Sequence, residues 1–103
     1  MNHIENLTSI LESYSSVEKV YLYGSRNGNN YKEDSDYDIC IVLNSILEKK
    51  HIVAKLGDYM ICNDLIIHPI IITTHEYLEK VNLPIYKKEI FTNGTILINR
   101  KTC

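Results

Sequence analysis

VEKVYLYGSRNGNNYKEDSDYDICIVL, residues 17–43, holds two strands and the loop that joins them. Val17 to Tyr23 is rich in β-branched and aromatic residues, which favours a strand. That strand stops at Gly24. Residues 25–34 carry asparagines, a glycine and several charges, the composition of a loop. Asp36 to Leu43, DYDICIVL, predicts a second strand with an apolar C-terminal half.

The chemistry lies where these strands meet the loop. Asp36 and Asp38 are two apart, so strand alternation sends both carboxylates to one face and Tyr37 to the other. Two like charges placed together repel. A divalent cation between them reverses the sign. Hard oxygen ligands suit Mg²⁺, which keeps several waters and shares substrate phosphates. A second ion would let the pair clamp the attacking and leaving oxygens of a phosphoryl displacement. On the other side of the loop, Gly24 lets a phosphate approach the backbone closely. Ser25 offers a hydroxyl and a backbone N–H to phosphate oxygens. Arg26 adds a fixed positive charge. A lone Gly-Ser is an ordinary turn, and a lone Asp-x-Asp is common in solvated loops. The specific signal is their combination across ten residues, 26–35, with one strand before and one after.

Working outward, Ile4, Leu7, Leu11 and Tyr14 recur at helical spacing and predict an amphipathic helix over 3–14. Ser45 and Glu48 have capping-box spacing before a helix over about 46–60, whose apolar face is Ile52, Leu56, Tyr59 and Met60 and which Gly57 weakens near its end. Asp64 to Thr73 predicts a third strand, in which Pro69 implies an edge or a bulge. Thr73 and Glu76 cap a short helix over about 74–80. Pro84 opens a further helix to about Thr92, ended by Asn93-Gly94, with a last short strand over 95–98. The order αβ-βαβ-αα(β) predicts an α/β (α+β) domain: a small mixed sheet flanked by helices.

The 103 residues fit a single domain, 1–103. A formal net charge of −2 gives no support to direct nucleic-acid binding. Cys40, Cys62 and Cys103 are odd in number and lack CxxC spacing, which fits free thiols in the cytoplasm. The histidines, His3, His51, His68 and His75, lack metal-ligand spacing in sequence. No signal peptide or stretch long enough to span a membrane is legible.

Gly24-Ser25, ten residues, then Asp36-Tyr37-Asp38 resembles the GSx10DxD pattern of the minimal nucleotidyltransferases, small members of the polymerase-β-like superfamily. The later EIFTNGTIL, residues 89–97, is similar but less specific. The resemblance implies a polymerase-β-like nucleotidyltransferase fold, with Gly24 and Ser25 holding a triphosphate and Asp36 and Asp38 holding Mg²⁺, as two ions, with ATP as substrate. It implies a third carboxylate on the next core strand, serving as metal ligand or base. Asp64 is the acid nearest that strand and is the candidate, while Ile66 and His68 share its parity and compete for the position. Many small members resemble antitoxins paired with a HEPN-type ribonuclease toxin, which implies AMP transfer from ATP to a toxin tyrosine. The brevity of the chain after the sheet fits an acceptor that brings its own surface, docking on an apolar patch around Ile85, Tyr86, Ile90 and Phe91. Two other readings stand beside this one: an antitoxin acting by binding alone with a vestigial site, and the catalytic subunit of an aminoglycoside-type nucleotidyltransferase.

Overall fold

The structure is a computed structural model and describes residues 3–24 and 36–100. Among the described residues four strands form one mixed sheet: β1 (Val17–Tyr23), β2 (Tyr37–Leu43), β3 (Ile67–Thr73) and β4 (Thr95–Asn99), in spatial order β3-β2-β1-β4. β1 runs antiparallel to β2 and β4, while β2 and β3 are parallel. A parallel pair needs a crossover, and α2 (Lys49–Asn63) provides it. The remaining helices are α1 (His3–Glu12), α3 (Thr74–Lys80) and a short α4 (Pro84–Tyr86), which continues as a π-helical segment over Lys87–Thr92.

Strand alternation gives the sheet two unlike faces. On the larger face, Leu7 and Leu11 of α1 and Ile52 and Leu56 of α2 pack on Val20, Leu22, Ile39, Ile41 and Leu43. The expected helical faces are these, with Ile4, Tyr14, Tyr59 and Met60 at the margin. On the smaller face, Tyr21, Cys40, Val42 and Ile72 are covered by Ile90, with Phe91, Tyr77 and Tyr86 packed around them. Phe91 meets Tyr21 and Tyr77 edge-on at 5.2 and 5.0 Å between ring centroids, the geometry preferred by ring quadrupoles. The expected docking patch is therefore corrected: Ile90 is buried, and Tyr86 and Phe91 pack on the sheet because they close this second core.

Local signals place most boundaries. Thr73 and Glu76 make a reciprocal capping box at the start of α3. Pro69 lies on β3, an edge strand, where a missing N–H is tolerated. Gly94 ends the π segment through an N–H bond to the Ile90 carbonyl, which a Cβ at 94 would overlap. Three expectations fail. Ser45 caps a 3₁₀ turn at Ile46–Glu48 alone, because the Glu48 carboxylate instead accepts from the Ser16 backbone N–H at 2.9 Å. α2 runs through Gly57 to Asn63, held beyond the glycine by Tyr59 and Met60, which pack against the larger core. The third strand starts at Ile67 rather than Asp64, because Asp64 is the left-handed C-cap of α2, φ 51°, with its N–H bonded to the Met60 carbonyl.

Candidate active site

The site is built at the end of β1 and the start of β2, on the smaller face. Tyr23, the last residue of β1, is in register with Asp38. Gly24 follows with φ +75°, a conformation that side chains disfavour. A Cβ built there would collide with Asp38 Oδ2, so the bare Cα makes room for the carboxylate. Asp36 lies just before β2 and Asp38 within it, both partly exposed. Tyr37 points the other way into the larger core, edge-on to His3 with centroids 6.1 Å apart. That is the alternation expected from the DYD spacing.

β3 adds a residue. His68 is in register with Asp38 on the parallel neighbour, and its Nε2 is 2.7 Å from Asp36 Oδ2. Among the described residues this rim carries two carboxylates and an imidazole. Burial raises the Asp38 carboxyl above the ordinary range; the His68 ring opposes that shift and the Asp36 charge reinforces it. Burial, with Asp38 close by, also pushes the Tyr23 hydroxyl up to about 12. A carboxylate that resists ionisation beside another carboxylate is a site that gains from a cation.

The donor set fits a hard divalent ion. Gly24 gives the Asp38 carboxylate its room, and Asp36 and Asp38 offer oxygen ligands at the head of β2. Among the described residues, no three His, Cys, Asp or Glu side chains are arranged to hold an ion together. Two carboxylates completed by water and triphosphate oxygens match the habit of Mg²⁺. Such an ion, when bound, neutralises charge on the phosphates and on the leaving group.

Of the residues read from the sequence, Gly24, Asp36 and Asp38 come together. Ser25 and Arg26 lie outside the described residues. Asp64 is exposed, three residues before β3, and serves as a helix cap. His68 occupies the register position that Asp64 and Ile66 contested. Parity was its signal; only the β2–β3 register separates it from the others. A groove of about 260 Å³ between α1 and α2, lined by Ile10, Lys55, Asp58, Tyr59, Cys62 and Asn63, touches none of the site residues.

Residues 5–102 match the family described as polymerase beta, nucleotidyltransferase. The chain belongs to the polymerase beta nucleotidyltransferase family. Its mixed sheet flanked by helices is the fold of that family. Such nucleotidyltransferase domains generally use a divalent metal and a nucleoside triphosphate, which agrees with the two aspartates at the head of β2. Among curated proteins, no sequence matches. Among solved structures, a mutant of the toxin–antitoxin MntA–HpeT is similar at 13% identity, with a TM-score of 0.61, over 98% of this chain and 76% of that one. At that identity the likeness is one of nucleotidyltransferase fold.

Proposed function

We propose that the chain is a nucleotidyltransferase antitoxin that moves AMP from ATP to a tyrosine hydroxyl of a HEPN-type toxin. The observation that carries the transfer chemistry is the nearness of Asp36 and Asp38 at the head of β2, both beside His68, with Gly24 set against Asp38. The resemblance of the motif to minimal nucleotidyltransferases, and the fold shared with a toxin–antitoxin component, support a protein acceptor. In the reaction the tyrosine oxygen bonds to the α-phosphorus, the bond to pyrophosphate breaks, and the hydroxyl proton leaves to solvent. Asp36 and Asp38 would hold Mg²⁺, as two ions. Gly24, Ser25 and Arg26 are proposed to hold the triphosphate. Asp64 is retained as a candidate for metal binding or catalysis. The chain acts in the cytoplasm in this reading, and among the described residues no helix is long and apolar enough to cross a membrane.

The test is transfer of label. The full chain, Mg²⁺ and ATP labelled at the α-phosphate are incubated with the toxin encoded beside it. Label on a toxin tyrosine, lost in Asp36→Ala and Asp38→Ala, is the expected result. Neutralisation of the toxin by both variants, with no label transferred by wild type, would instead establish an antitoxin acting by contact alone. One observation favours that second reading: the position beside Asp38 on β3 carries an imidazole and not a carboxylate. Label on an aminoglycoside and not on protein would move the acceptor to a small molecule.

A further inference from the structure

We infer that His68 is a positioning residue that orients Asp36 as a metal ligand, an inference that rests on the nucleotidyltransferase reading of the site. Asp36 lies outside the sheet ladder, before β2 begins, and its side chain is 41% exposed. Nothing in a strand pattern fixes the rotamer of such a residue. His68 does lie in a strand. Its neighbours are Ile67, buried in the larger core, and Pro69, whose ring fixes φ. The parallel register places His68 beside Asp38, and the Nε2–Oδ2 distance of 2.7 Å ties it to Asp36. The ring therefore joins the carboxylate that lies outside the ladder to the sheet that carries Asp38.

The direction of the hydrogen bond defines the role. With its proton on Nε2 the imidazole donates to Asp36 Oδ2 and leaves Oδ1 for a cation. Partners of this kind orient a ligand without touching the ion, and removing them typically weakens metal binding about 10- to 100-fold. A direct ligand role fits less well, since no three such side chains among the described residues are arranged around one point. His68 is 58% exposed, so its replacement leaves both cores intact.

The experiment is titration of the full chain with Mn²⁺, the free ion being counted by electron paramagnetic resonance. His68→Ala is expected to bind Mn²⁺ about 10- to 100-fold more weakly. His68→Gln, whose amide N–H reaches the same oxygen, is expected to recover most of the loss. Spin-echo spectra of bound Mn²⁺ are expected to lack the coupling of a directly ligated imidazole nitrogen. Wild-type affinity in His68→Ala overturns the inference. So does a failure of His68→Gln to rescue, or a nitrogen coupling that vanishes in His68→Ala. Asp38→Ala separates the two levels: if it retains wild-type Mn²⁺ affinity, the reading of the site as a metal centre fails, and this inference falls with it.

Discussion

A single methyl group at position 24 tests the geometry most directly. Gly24→Ala places a Cβ against Asp38 Oδ2 at a positive φ. Strain of this kind costs about 1–3 kcal/mol, and chemical denaturation should show a loss of that order. Mn²⁺ affinity should fall with it; an unchanged affinity would mean that Asp38 moves aside freely. Asp38→Asn tests charge in the opposite sense. The folded carboxyl is raised above its unfolded value by burial and by Asp36. Its stabilising contribution is thus full below the unfolded carboxylate range and is lost as the pH rises through the folded value. At neutral pH the metal-free chain carries this penalty, so Asp38→Asn should melt higher than wild type. The gap should close in acid, and Mg²⁺ should no longer raise the melting temperature. A lower melting point at neutral pH would contradict the account. Alternation alone made the shared face of Asp36 and Asp38 legible in the sequence. The approach of Gly24 to Asp38 was not legible, because it depends on the antiparallel register of β1 and β2.

Elements whose ends are set by local chemistry were the readable ones. Thr73 and Glu76 lie three apart and close on each other. Ser45 and Glu48 have the same spacing, yet Glu48 bonds to Ser16, thirty-two residues away, and no local pattern announces that partner. Hydrogen bonding to Ser16, through the N–H at 2.9 Å, holds the Glu48 carboxyl below its ordinary range. A depressed carboxyl stabilises above its unfolded value and loses that contribution as the pH falls through the folded one. The difference in melting temperature between wild type and Glu48→Gln should therefore be largest near neutral pH and shrink in acid. A difference that grows in acid would exclude the Glu48 charge as its cause. Arg100 is the long-range counterpart. Its guanidinium donates to the carbonyls of Glu12, Tyr14 and Val17. It ties the end of β4 to the last turn of α1 and the start of β1. Hydrogen bonds from a charged donor contribute about 1.5–3 kcal/mol each, and water replaces part of that on truncation. Arg100→Ala should lower the unfolding free energy by about 2–3 kcal/mol, read by urea denaturation. A change under about 0.5 kcal/mol, the usual range for an exposed surface residue, would mean that these bonds contribute nothing to stability.

At the scale of the molecule, the order of helices and strands and the mixed sheet followed from periodicity and turn residues. The division of labour between the two faces did not. It needs the register that sends Ile39 and Ile41 to one layer and Asp38, Cys40 and Val42 to the other. The smaller layer is closed by Ile90 and Phe91 from a segment distant in sequence, so the carboxylate rim and its cover belong to one packing unit. Cys40 lies inside that unit, two residues behind Asp38. Burial pushes its thiol up to about 12, whereas Cys62 is exposed on α2. Cys40 is therefore a clock already installed beneath the carboxylate rim. A thiol-specific reagent should label Cys62 within the dead time of mixing. It should reach Cys40 only as often as the cover lifts, with peptide mass analysis telling the two apart. Mg²⁺ and ATP together should slow the second rate if they fasten the rim to its cover. Equal rates at the two thiols would show that the cover is open in solution.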